Sequence, residues 1–71
     1  MANSILTVRE RRVFELLISN MKTKEIAEKL GISEKTVRNH ISNVIQKLSV
    51  NSRATAVVEL IKLKEIDIYN E

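Results

Sequence analysis

The sequence predicts an all-α fold in which four helices form one small domain. The chain has 71 residues with one glycine and no proline, which is too few turn-forming residues for a β-sheet domain. Apolar residues recur at helical spacing in four segments, and each segment starts at a hydroxyl side chain suited to an N-cap. A chain of this length supports one hydrophobic core and no more.

We expect residues 1–71 to form a single domain, with a flexible arm at 1–6, a helical core at 7–64 and a tail at 65–71. Hydrophobic residues make up 44% of the chain and charged residues 30%, which is a globular composition. The tail leaves two alternatives open. Its apolar side chains either extend the last helix or fold back on the core: Ile66, Ile68 and Tyr69.

Composition argues against enzymatic function. The chain has no cysteine, so it lacks disulfides, thiol nucleophiles and cysteine metal sites. The single histidine, His40, is best read as a packed or phosphate-touching residue, and no residue set for acid–base or nucleophilic catalysis is present. We therefore predict no enzyme activity, no cofactor and no metal. With no apolar run of membrane-span length and no signal segment, we expect a cytoplasmic protein.

The first helix is predicted to begin at Thr7. Thr7 and Glu10 form a capping-box pattern, in which each side chain accepts a hydrogen bond from the backbone N–H of the other residue. An apolar stripe follows at helical spacing: Val13, Phe14, Leu17 and Ile18.

The second and third helices are predicted to form a helix-turn-helix pair. The second begins near Thr23 as its N-cap and ends at Gly31, a left-handed C-cap. The third begins after Ser33, so only a short glycine-containing turn separates the two. Ala27 lies on the inner face, where a small side chain permits close approach of the two helices. The third helix has its own apolar stripe: Val37, Ile41, Val44, Ile45 and Leu48.

The opposite side of the third helix, here called the α3 polar face, differs from an ordinary solvent-exposed surface. It comprises Lys35, Arg38, Asn39, Ser42, Asn43 and Gln46, with no acidic residue after Glu34. Asn and Ser are poor helix formers, so stability does not explain them. Arg can bridge guanine O6 and N7, and Asn can bridge adenine N6 and N7, in the DNA major groove. The net charge of +3 and pI near 9.5 permit such a polyanionic partner.

The ordered motifs "LTVRERRVFELL", "TKEIAEKLGISEKTVRNHISNVIQKL" and "SVNSRATAVVEL", from Leu6 to about Leu63, resemble the LuxR-type helix-turn-helix family, and especially its stand-alone members that regulate sporulation genes. The resemblance implies a transcription regulator that binds a pseudo-palindromic site in duplex DNA as a homodimer, with RNA polymerase as a further partner. It implies base reading by Arg38, Asn39 and Ser42. It places DNA-backbone contacts at Thr23, Lys24, Ser33, Lys35, Thr36, Lys47 and Arg53.

The fourth helix is predicted to begin after Ser52 and to run from Arg53 to about Leu63, and it carries two apolar stripes. We expect one stripe to face the core: Ala54, Val57, Val58 and Ile61. The other would then be a dimer interface: Ala56, Leu60 and Leu63. The alternative is that the C-terminal tail folds back and covers this second stripe.

A competing function is a helical protein-interaction adaptor that shares the scaffold without reading DNA. That function predicts an exposed apolar surface but does not explain a third helix without acids beyond its first turn. Salt-dependent binding to duplex DNA discriminates between the two.

Overall fold

The computed structural model describes residues 5–67 and confirms the predicted all-α class. Four helices follow in the order α1 (Val8–Ile18), α2 (Thr23–Leu30), α3 (Glu34–Leu48) and α4 (Arg53–Lys62). No strand occurs within these residues, and no helix among them is long and apolar enough to cross a membrane. Helix α3 packs against each of the other three helices.

Three of the four predicted helix starts are confirmed. At α1 the capping box is complete, because Thr7 Oγ1 accepts from Glu10 N at 3.0 Å and Glu10 Oε1 accepts from Thr7 N at 2.9 Å. Ser33 accepts from the Thr36 N–H at 3.0 Å, and Ser52 caps α4 in the same way. Each cap satisfies a backbone donor that has no partner within its helix.

The predicted start of α2 is wrong by one residue. Lys22 is the N-cap and Thr23 is already helical. The lysine side chain has no acceptor atom, but its backbone N–H donates to Glu25 Oε1 at 2.8 Å. Only the glutamate half of a capping box is therefore needed to start this helix, and the hydroxyl of Thr23 is left for other contacts.

The turn between α2 and α3 has the predicted form. Gly31 adopts a left-handed conformation with φ of 71°, which ends α2. Ile32 then donates its N–H to the Ala27 carbonyl at 3.0 Å and packs half-buried against the core. Ala27 is only 5% exposed, so its small side chain does lie in the interior near this junction.

Among the described residues, the core is aliphatic around the aromatic ring of Phe14. Phe14 and the stripe of α3 are buried, with Ile45 and Leu48 half-buried at its edge. Leu16 is buried as well, although the predicted stripe omitted it. Leu6, assigned to the flexible arm, is 6% exposed and belongs to the core. The buried apolar residues are Leu6, Val13, Phe14, Leu16, Ile26, Ala27, Val37, Ile41, Val44, Ala56, Leu60 and Ile66.

The orientation of α4 about its axis differs from the prediction. Ala56 and Leu60, assigned to the dimer interface, are fully buried in the core. The stripe assigned to the core lies only partly in it. We call this stripe the α4 outer face: Ala54 and Val58 are exposed, whereas Val57 and Ile61 are half-buried and pack against the edge of the core. Leu63, the third predicted interface residue, is the C-cap and is 50% exposed.

The chain after α4 turns back onto the domain. Lys64 has a φ of 61°, Glu65 donates its N–H to the Leu60 carbonyl at 2.9 Å, and Ile66 is 3% exposed. Arg11 of α1 holds this segment, with Nη2 at 2.9 Å from Glu65 Oε1 and Nη1 donating to the Glu65 carbonyl. For Ile66, the fold-back alternative is therefore correct. Ile68 and Tyr69 lie outside the described residues.

Candidate nucleic-acid interface

The predicted base-reading residues share one exposed side of α3. Arg38, Asn39 and Ser42 are all exposed, as is the rest of the α3 polar face. The opposite side of the same helix is buried, with Val37 and Val44 at 0% and Ile41 at 3% exposure. The core therefore fixes the rotation of α3 about its axis, and this rotation presents amide, hydroxyl and guanidinium groups together to the outside.

The one acid of α3 is paired with the predicted guanine reader. Arg38 Nη2 lies 2.8 Å from Glu34 Oε1, one helical turn earlier. Both side chains are partly exposed, at 58% for the arginine and 38% for the glutamate. The polar face therefore presents no unpaired carboxylate from α3.

Six of the seven predicted backbone contacts lie at the starts of three helices. Ser33, Lys35 and Thr36 lie at the start of α3, where the Ser33 and Thr36 hydroxyls are 3.0 Å apart. Thr23 and Lys24 begin α2, and Arg53 begins α4. Free N–H groups and the helix dipole at such positions attract anions.

The starts of α2 and α4 meet at one cleft of about 580 Å³. Thr23 and Arg53 both line it, so two predicted backbone contacts from distant parts of the chain lie at the same place. The other lining residues are Leu17, Ile18, Asn20, Met21, Lys22, Ala54 and Val57.

Lys47 differs from the other predicted backbone contacts because it already has an anionic partner. Its Nζ lies 2.5 Å from Glu10 Oε1 and 3.2 Å from the Ile5 carbonyl oxygen. Sequence reasoning placed Glu10 in the α1 capping box but did not find this ion pair. The sequence shows a lysine near the end of α3 and an acid in α1, but neither spacing nor periodicity indicates that the two residues pair.

The environment of Glu10 acts on its pKa in both directions. Its burial, to 3% exposure, raises the pKa of the carboxyl. The hydrogen bond from Lys47, the backbone N–H of Thr7, the charge of Lys47 and the Thr7 side chain all lower that pKa, and together they outweigh burial. The net pKa of Glu10 therefore lies below its ordinary value, and the group is ionised at neutral pH.

Within residues 5–67, no group of His, Cys, Asp and Glu is arranged to hold a metal ion. In the same part of the chain, every buried side-chain nitrogen and oxygen has a hydrogen-bond partner. The polar groups available for recognition are therefore the exposed ones described above.

Comparison with known proteins agrees with this geometry. The family "Bacterial regulatory proteins, luxR family" matches residues 4–60. The "Spore germination protein GerE" of Bacillus subtilis (strain 168) is 61% identical over 64 residues, covering 90% of this chain and 86% of that protein. The "Transcriptional regulatory protein DegU" of Brevibacillus brevis is 53% identical over 58 residues, but this chain spans only 25% of its length.

Solved structures give the same result. The "Structure of Transcription factor, GerE" superposes with a TM-score of 0.89 at 55% identity, covering 92% of this chain and 97% of that one. The response regulator ChrA matches with a TM-score of 0.81 at 29% identity, covering 93% of this chain and 33% of that one. GerE is described as a transcription factor, and DegU as a transcriptional regulatory protein. The chain belongs to the LuxR family of bacterial regulatory proteins and is a helix-turn-helix, DNA-binding transcription regulator.

Proposed function

We propose that the protein binds a specific duplex sequence as a homodimer, with α3 of each protomer in the major groove. The α3 polar face is the observation that supports this proposal. It is exposed and lies opposite the buried stripe of the same helix. The one acid of α3, Glu34, is paired with Arg38, so this helix presents no unpaired carboxylate. A major groove about 12 Å wide admits one α-helix, and its base edges offer the acceptors and donors that these side chains match.

Three residues read bases in this proposal. Arg38 is suited to guanine O6 and N7, Asn39 to adenine N6 and N7, and Ser42 to either a donor or an acceptor. Arg38 and Asn39 lie on one turn of α3 and Ser42 lies on the next, so together they can reach only a few neighbouring base pairs. Specificity at the remaining positions of a site would then come from DNA shape.

In this proposal, phosphates are held at the first turns of α2, α3 and α4. Thr23 and Lys24 of α2, the first turn of α3 and Arg53 of α4 supply hydroxyls, ammonium and guanidinium groups, and free N–H groups. Residues of this kind fix the position of a protein on DNA without reading sequence. Lys47 can join them only by sharing its ammonium group with Glu10.

The homodimer contact lies on the α4 outer face. Val58 is 54% exposed at the centre of this face, and Ala54, Val57 and Ile61 surround it with apolar surface. A self-complementary apolar face is suited to pairing about a two-fold axis, which would set two α3 helices in successive major grooves about 34 Å apart. The pseudo-palindromic site expected from the sequence follows from this symmetry.

The biological setting is proposed from the likeness to GerE. Identity of 61% over 90% of the chain supports gene regulation connected with sporulation or germination. We infer a cytoplasmic regulator that is not an enzyme. Residues 1–71 form one domain of it, and the regulator meets RNA polymerase at the promoters it controls.

Selection of bound fragments from random duplex DNA, followed by salt titration, tests the proposal. With about 4–6 phosphates neutralised per protomer, log K should fall linearly with log salt, each phosphate adding about −0.9 to the slope. Enrichment of a pseudo-palindrome supports a dimer that reads sequence. A flat salt response and no enriched sequence would instead support the protein-interaction adaptor.

A further inference from the structure

We propose that Glu34 is a positioning residue for base recognition, which acts by holding the Arg38 guanidinium over the α3 polar face. This inference rests on the proposed function, because it concerns how a base-reading side chain is aimed. Glu34 is the first residue of α3, and Arg38 follows one turn later, so the pair lies at the end of α3 that enters a groove first in helix-turn-helix proteins.

The observed contact leaves Arg38 able to bind a base. Arg38 Nη2 donates one hydrogen bond to Glu34 Oε1 at 2.8 Å. A guanidinium group carries five N–H donors in a planar fork, and two of them suffice for guanine O6 and N7. The carboxylate can therefore restrict the rotamer of Arg38 while the arginine remains free to make a bidentate contact.

The charge of Glu34 is otherwise a disadvantage to a DNA-binding helix. It is the only acid among the 15 residues of α3, and a carboxylate near phosphates weakens binding to every sequence. The helix dipole favours an acid at this position, so stabilisation of α3 is the competing explanation. The two explanations differ in one measurable quantity, the ratio of affinities for specific and random DNA.

An unrestrained arginine beside DNA can turn to a phosphate instead of a base. That contact would strengthen binding to all sequences and would not depend on the base pair. By pairing with Arg38, Glu34 keeps the guanidinium on the α3 polar face. The pairing also keeps Arg38 from phosphates and so opposes binding that does not depend on sequence. Removing the carboxylate should therefore raise affinity for random DNA and lower discrimination together, and the loss of discrimination should require Arg38.

The experiment measures dissociation constants for the selected site and for a random duplex at one salt concentration. The variants are Glu34→Gln, Arg38→Ala and the double substitution. Glu28→Gln is the matched control, because Glu28 is exposed on α2 and forms no ion pair within residues 5–67. For Glu34→Gln we expect tighter binding to the random duplex and a discrimination ratio lowered about 2- to 5-fold, the range for one exposed ion pair. With Arg38→Ala already present, Glu34→Gln should leave the ratio unchanged.

Two results would overturn the inference. If Glu34→Gln and Glu28→Gln tighten binding to both duplexes by the same factor, Glu34 is only a repelling charge. If the ratio changes equally with and without Arg38, Glu34 does not act through that residue. Failure of the proposed function is distinguishable, because the wild-type protein would then show no preference for any duplex before a variant is examined.

Discussion

The Lys47 ammonium nitrogen lies 2.5 Å from a carboxylate oxygen of Glu10 and joins the last turn of α3 to the first turn of α1. Glu10 also completes the capping box with Thr7, so one buried carboxylate takes part in both the ion pair and the helix cap. Because α3 carries the proposed recognition surface, this ion pair holds the far end of the recognition helix against the rest of the domain.

Replacement of Glu10 by glutamine should destabilise the fold. The variant loses the ionic partner of Lys47 and weakens the cap. We expect a loss of about 1.5–3 kcal/mol in the free energy of unfolding, the range for hydrogen bonds to charged groups. Glu15→Gln is the control, since the exposed Arg12–Glu15 pair should contribute about 0–1 kcal/mol. Denaturant unfolding followed by circular dichroism measures both, and equal stabilities of the two variants would refute a structural role for Glu10.

The lowered pKa of Glu10 predicts how this contribution depends on pH. Because the folded-state pKa lies below the unfolded value of about 4.3, the ionised group stabilises the fold in full above that value. The contribution is lost as pH falls through the lower folded-state pKa. The difference in unfolding free energy between wild type and Glu10→Gln should therefore shrink on acidification from pH 7 to below 4. A difference that stays constant over this range would contradict the assigned shift.

Glutamate substitutions on the two sides of α4 should have opposite consequences. Leu60 is fully buried, so Leu60→Glu places an unpaired charge in the core at a cost of several kcal/mol and should unfold the domain. Val58 is 54% exposed, so Val58→Glu should leave the thermal unfolding midpoint nearly unchanged. On a two-half-site duplex, Val58→Glu should lose cooperative binding, as measured by gel shift and sedimentation. Unchanged two-protomer binding by this variant would remove the α4 outer face as the dimer contact.

Substitution of a base-reading residue should change specificity, whereas substitution of a phosphate-binding residue should change affinity for all sequences. Arg38→Ala should cost about 1–3 kcal/mol on the selected site and relax preference at one or two base pairs. Lys35→Ala should weaken binding to all sequences by similar factors. It should also make the slope of log K against log salt less steep by about 0.9, the contribution of one phosphate. If Arg38→Ala lowers affinity for selected and random duplexes equally, Arg38 contacts the DNA backbone instead.

The parts of the fold that follow local rules were predictable from sequence. Thr7, Ser33 and Ser52 cap helices as predicted, and Gly31 ends α2 in the left-handed conformation that few other residues adopt. The exposed side of α3 was predictable because its two sides differ sharply in polarity. These features depend on residues within about one turn of each other, so periodicity and capping chemistry suffice.

The orientation of α4 and the Glu10–Lys47 pair depend on tertiary structure. Both sides of α4 are apolar, so hydropathy does not indicate which side faces inward, and the fold resolves this by burying Ala56 and Leu60. Glu10 and Lys47 are 37 residues apart in sequence, and nothing local to either residue indicates their partner. Ile66 returns to the core because the chain turns at Lys64 after α4 ends.

A crystal structure of the protein bound to its selected duplex tests the central claim most directly. We expect two protomers on the full site, with each α3 in a major groove and the Arg38 guanidinium nitrogens within about 3 Å of guanine O6 and N7. The Ser33 and Lys35 side chains should lie against phosphates in the same complex. Placement of α3 outside the major groove, or an Arg38 that contacts phosphates alone, would contradict the assignment of α3 as the base-reading helix.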